Sequence, residues 1–213
     1  MARNINPQCR ICRREGLKLY LKGERCFTEK CAVDRRNYPP GQHGGQKGHF
    51  RKKISDYALR LREKQKVKGI FGIYERQFER YVTDADRMKG ITGYNLLLAI
   101  ERRLDNMVYR MGFGTSRSSA RQLVRHRHVL VNGKKVNIPS FQVKIGDVIE
   151  LEAKKKNNEF IKHALGTIDA RGGIPRWLDV NRDLFRGVVA DYPKREELTL
   201  PVQEQLIVEF YSR

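Results

Sequence analysis

Acidic residues are scarce in this chain of 213 residues: 24 Asp and Glu stand against 44 Lys and Arg, a formal net charge of +20. Such an imbalance opposes compaction by self-repulsion unless a polyanion neutralises it. Long apolar runs are missing as well. None approaches the 18 or so residues of a membrane-spanning helix, and the polar start Met1-Ala-Arg-Asn has no apolar signal-peptide core. A membrane is thus not the expected partner, and the reading is a soluble cytosolic protein that binds nucleic acid. Also absent are a Gly-rich nucleotide loop, a nucleophile with a matching base and a carboxylate pair in a catalytic context, so no enzyme is expected. Cysteine is missing everywhere beyond Cys31.

All four cysteines lie in one short stretch: Cys9 and Cys12 with two residues between them, a spacer of thirteen, then Cys26 and Cys31 with four residues between them. Two such loops can close a tetrahedron of thiolates around one ion, and a reducing cytosol disfavours disulfides. Structural zinc is the leading reading; an iron–sulfur cluster and unligated thiols are the alternatives. A metal would also account for how so basic and short a segment folds. Residues 1–53 carry 14 Lys and Arg against 4 Asp and Glu, so a quarter of the chain holds half of the charge. Within it, residues 38–53 read YPPGQHGGQKGHFRKK, too rich in Pro and Gly for a regular element. This arm is expected to lie along phosphates, with Tyr38, Gln42, His43, Lys47, Arg51, Lys52 and Lys53 as its candidate contacts.

From Ile54 onwards the apolar spacing turns helical. Ser55 is placed to cap a helix with Ile54, Tyr57, Ala58 and Leu61 on its inner face, ending near Gly69. A second helix is expected from Tyr74 to Met88, with Phe78, Tyr81 and Val82 inward. The stripe Leu206, Ile207, Phe210 and Tyr211 predicts a C-terminal helix docked on these two. Leu97, Ile100, Leu104, Met107, Val108 and Met111 predict one long helix from Thr92, ended by Gly112 or Gly114. Another follows, capped by Thr115 or Ser116, with Ala120, Leu123 and Val124 inward. Asn132-Gly133 between β-branched residues signals a two-residue hairpin, and Phe141, Val143, Ile145 and Val148 alternate as in a strand.

The second of these helices offers an RNA-binding surface. Its free N-terminal amides sit at Ser116, Arg117 and Ser118, a position suited to phosphate. Arg117, Arg121 and Arg125 recur every four residues and are expected on one RNA-facing stripe. Arg102, Arg103, Arg127, Lys134 and Lys135 extend the patch, which would read RNA mainly through backbone shape. His126 and His128 are as well suited to packing as to RNA contact.

The run from Ile100 to Val124, IERRLDNMVYRMGFGTSRSSARQLV, followed by HRHVLVNG, resembles the signature of the S-four RNA-binding domain. The four cysteines, YPPGQHG, the basic arm and the terminal EFYSR extend the resemblance along the chain, to the bacterial small-subunit ribosomal protein S-four family. The expected fold is α+β: a zinc-knuckle-like segment over 1–45, a helical domain over 46–95 plus 198–213, and an S-four domain over 96–197. That last domain is expected as two helices on a small, mostly antiparallel sheet, with the C-terminal helix packing back on the helical domain. The resemblance implies a structural constituent of the small ribosomal subunit that binds 16S ribosomal RNA first and nucleates assembly. It also implies a place where messenger RNA enters, beside ribosomal protein S-five and other small-subunit proteins, an influence on decoding accuracy, and translational autorepression. A free-standing S-four-domain RNA binder and an accessory to an RNA-modifying enzyme are the alternatives.

Overall fold

The computed structural model describes residues 7–42, 44, 55–153 and 158–212. The chain divides into two units, Met1–Leu97 with Leu200–Arg213, and Leu98–Thr199.

The first unit is helical. Its N-terminal part has α1 (Gln8–Glu15), a 3-10 turn at Gly23–Cys26 and the single-turn α2 (Ala32–Arg35). This part lies in the same unit as the helices that follow. Next come α3 (Asp56–Phe71) and α4 (Glu75–Arg87). Ser55 caps α3 as its sequence position implies, its hydroxyl accepting from the Ala58 amide at 3.3 Å. The helix runs past Gly69, to a left-handed cap at Gly72.

The inner face of α3 differs from the expected one. Tyr57 is exposed, whereas Lys64, Lys66, Val67, Ile70 and Phe71 are buried. Two lysines on the inner side conceal that face from a hydrophobicity pattern, because their apolar stems pack while their heads reach carboxylates. Phe78 and Val82 of α4 are buried as expected, and Tyr81 is half-buried. The C-terminal helix, here α9 (Glu204–Tyr211), packs along α3. Arg60 binds Glu209 at 2.7 Å, and the Lys64 ammonium lies 4.2 Å from the centre of the Phe210 ring.

The second unit mixes helix and sheet. The long helix expected from Thr92 is two helices, α5 (Thr92–Glu101), whose residues up to Leu97 belong to the first unit, and α6 (Leu104–Arg110). Arg103 is extended (φ −65°, ψ 136°) and makes an antiparallel bridge to Gln142. The amides of Leu104 and Asp105, orphaned at the new helix start, donate to Phe141 O and Pro139 O at 2.9 and 3.1 Å.

Helix α7 (Arg117–Arg125) is capped by Ser116, not Thr115, through a box of reciprocal bonds with Ser119. Strands β1 (Val129–Val131) and β2 (Lys134–Lys135) form the expected hairpin, with Asn132 and Gly133 at φ +50° and +76°. Strand β3 (Val148–Leu151) starts later than the alternation from Phe141 implied, and Ile145 is exposed. Helix α8 (Glu159–Gly166) and the hairpin of β4 (Leu178–Asn181) and β5 (Arg186–Val189) complete the unit. The sheet is antiparallel in the order β2-β1-β3-β5-β4. Leu104, Met107 and Met111 of α6 share its core with Val124 of α7, Ile149 of β3, Ile161 of α8 and Trp177.

Candidate nucleic-acid interface

Where the arginines of α6 and α7 point decides which of them can meet RNA. At 100° per residue, a four-residue step advances about 40° around a helix. Ala120 and Val124 fix the core side of α7. Arg117 and Arg121 lie just beside that side, whereas Arg125 is carried out towards Ser118 and Gln122, all three exposed.

The inward position of Arg117 and Arg121 is matched by partners on α6. Arg121 donates to Asp105 at 2.7 Å, and Arg103 grips the same carboxylate through two bonds of 3.0 and 2.8 Å. Arg117 donates to Asn106 Oδ1 at 3.0 Å, with its guanidinium carbon 4.6 Å from the centre of the Tyr109 ring. Asn106 in turn binds Glu101, which holds Arg110 at 2.7 Å. Burial, then the charge of Arg110, pulls the Arg117 guanidinium below its ordinary value. Burial acts to raise the Glu101 carboxyl, but Arg110 outweighs it and holds the group below its usual range.

These contacts set where the arginines of the expected stripe stand. Arg103 is 1 % exposed and serves the interior. Arg117 and Arg121 are half-buried and bound to α6. Arg102 is also half-buried, donating to Val143 O at 3.0 Å and stacking on Tyr192. Ser116 is buried as the cap, leaving Ser118 as the exposed hydroxyl of the first turn. Glu101, Asp105 and Asn106, which hold these arginines or their partners, are not among the residues that charge and spacing single out. The signal was there in IERRLDN, where an acid stands on each side of the arginine pair.

An outward cationic surface remains. Arg125, His126, Arg127, Lys134 and Lys135 are exposed. Helix α7 ends with the His128 amide bonded to Leu123 O and the Arg127 amide to Val124 O, at 3.1 and 3.0 Å. That Schellman-type closure requires a left-handed residue, which is usually glycine. Here it is Arg127, at φ +61°. Next to it, Glu152 accepts from Lys135 at 2.6 Å, and its amide donates to His128 O. Lys135 thus stands at the Arg127 corner, partly neutralised by that carboxylate.

In the first unit the arm begins against α1. Arg13 donates to Arg36 O and Tyr38 O at 3.2 and 3.0 Å, and its guanidinium covers the Tyr38 ring at 4.7 Å. Gln42 is exposed. His43, Lys47, Arg51, Lys52 and Lys53 lie outside the described residues.

Cys9, Cys12, Cys26 and Cys31 line one small cleft, the last three of them buried, and none is in a disulfide. Burial raises the Cys12 and Cys26 thiols. The Lys22 amide points at Cys26 Sγ, 3.4 Å away. Among the described residues, however, no three or more His, Cys, Asp or Glu side chains form a metal-holding group, so the structure does not display a formed zinc knuckle.

The chain's similarity to known proteins covers both units. Residues 3–101 match the family described as "Ribosomal protein S4/S9 N-terminal domain", and residues 102–149 match the "S4 domain" family. Proteins called "Small ribosomal subunit protein uS4" are similar over the whole length of both chains. That of Citrifermentans bemidjiense is 59% identical over 213 residues, that of Syntrophus aciditrophicus 60% over 214 and that of Geobacter sulfurreducens 56% over 213. The chain belongs to the small ribosomal subunit protein uS4 family.

Proposed function

We propose that this protein is a structural, non-catalytic constituent of the small ribosomal subunit, seated on small-subunit (16S) RNA in the cytoplasm. The observation that carries the reading is the full-length identity of 56–60% to proteins of that name. The outward corner of Arg125, Arg127, Lys134 and Lys135 supplies cations suited to phosphates, and phosphate contacts position a protein on RNA without reading sequence. The finer roles are part of the same proposal and rest on family resemblance alone: early binding that nucleates assembly, a place beside ribosomal protein S-five where messenger RNA enters, an effect on decoding accuracy, and autorepression. Cosedimentation tests the central reading. Tagged protein produced in a bacterium should run with the small subunit at moderate salt; protein found wholly at the top of the gradient contradicts it.

We further propose that Cys9, Cys12, Cys26 and Cys31 hold a structural zinc ion. Four thiols meeting at one cleft fit a tetrahedral site in kind and number. A bound ion would supply four strong bonds to a segment with few other cross-links, drawing the thiols together. Metal analysis of protein purified without chelator should give about one zinc per chain. Substoichiometric metal with four freely titrating thiols rejects the site.

A further inference from the structure

A cleft of about 600 Å³ opens in the first unit where α1 meets α3 and the start of α4. Its size falls within the range of small-ligand sites, about 300–1,000 Å³. Ile11 and Ile73 line it with apolar surface, Tyr74 adds an aromatic ring that is 45% exposed, and Arg10 and Arg14 add two cations. Arg10 and Arg14 are one helical turn apart on α1, both exposed, and neither has an acidic partner among the described residues. By contrast, the other charged groups of the cleft are matched, Lys68 with Glu75 and Glu15 with Arg62.

The close approach of α1 to α3 depends on a missing side chain. A Cβ at Gly69 would stand 2.7 Å from the Ile11 methyl carbon Cγ2. Glycine disfavours a helix relative to alanine, and here its missing side chain lets the apolar wall of the cleft form.

We propose that this cleft receives one unpaired nucleotide of the bound RNA, its base against Tyr74 and the isoleucines and its phosphates at Arg10 and Arg14. The proposal rests on the reading that the protein binds RNA, and it adds a local site for an unstacked base. A nucleotide joins a flat face that stacks on aromatic rings to an anion that needs unmatched cations, and the cleft offers both within one small volume. A duplex cannot enter, because its bases are stacked and paired.

The test uses the full chain and two RNA hairpins, identical except that one carries a single bulged 4-thiouridine. By fluorescence anisotropy the bulged hairpin should bind about tenfold tighter, in keeping with one base stacked on an aromatic ring. Tyr74→Ala should bring the two affinities within about twofold, and Tyr74→Phe should keep the difference. Long-wavelength irradiation should attach the thiouridine to the peptide containing Ile73 and Tyr74. Circular dichroism of each variant checks that the fold is retained. Equal affinities in the wild type, or crosslinks confined to other peptides, overturn the cleft while leaving RNA binding intact. Failure to bind either hairpin overturns the RNA reading itself and the cleft with it.

Discussion

Asp105 is almost fully buried, and it is the common partner of Arg103 and Arg121. Removing one member of a buried ion pair leaves an uncompensated charge, at a cost of about 3–5 kcal/mol. Asp105→Ala removes the carboxylate that faces the Arg103 guanidinium, a side chain only 1 % exposed. Trp177 is the only tryptophan and sits in the core of the same unit, so its fluorescence in a urea titration reports on that loss. A destabilisation of under about 1 kcal/mol would contradict the buried network. Arg127 poses the opposite case. An L-residue in the left-handed region costs about 1–2 kcal/mol, partly offset against glycine by the extra freedom glycine has when unfolded. Such strain in an exposed cation is consistent with selection for contact rather than stability. Arg127→Gly should leave stability unchanged or slightly higher while weakening affinity for small-subunit RNA several-fold. Equal RNA affinity in the variant would remove Arg127 from the interface.

At the scale of the element, one carboxylate ties α9 to α3 and the start of α4. Glu75 accepts from Lys64 at 2.8 Å, from Lys68 and from the Tyr211 hydroxyl at 2.6 Å. Burial acts to raise its pKa, but those three hydrogen bonds outweigh it and lower the group from 4.5 to about 2. The sign follows from linkage: a depressed folded pKa adds stability above the unfolded value, and that stability is lost as pH falls from about 4.5 towards 2. Glu75 keeps 46% of its side-chain surface exposed, so screening reduces the effect to about 1 kcal/mol or less. Hydrogen exchange at the Ile207 amide should speed up relative to a reference helix as pH drops through this window, and Glu75→Gln should abolish the change. Identical profiles in the two proteins would show that the clamp does not govern α9.

What the sequence made legible depended on where the cause lay. The α7 cap, the Asn132-Gly133 hairpin and the α9 stripe have local causes, and the structure places them as read. The break between α5 and α6 has a distant cause: apolar spacing runs unbroken from Leu97 to Met111, and backbone bonds to residues 139–143, with the bridge from Arg103 to Gln142, interrupt the helix. The inner face of α3 was hidden because Lys64 and Lys66 look like surface residues. Among the site residues, Arg125, Arg127, Lys134 and Lys135 were legible as cations and are exposed. The inward turn of Arg103, Arg117 and Arg121 was not, because their partners Asp105 and Asn106 become visible as such only once α6 lies beside α7.

For the whole molecule, the charge of +20 and the inward arginines together make a specific claim. On the proposed reading, RNA is held by outward cations, while the inward arginines shape the surface that carries them. Salt dependence measures this most directly, since each phosphate contact contributes about −0.7 to −0.9 to the slope of log affinity against log salt. Binding to small-subunit RNA by about ten phosphate contacts predicts a slope of roughly −7 to −9. A variant carrying Arg125→Gln, Arg127→Gln and Lys134→Gln should flatten that slope by about 2 to 3, with the Trp177-detected unfolding transition unchanged. A wild-type slope near zero, or a triple variant with the full wild-type slope, would contradict the account.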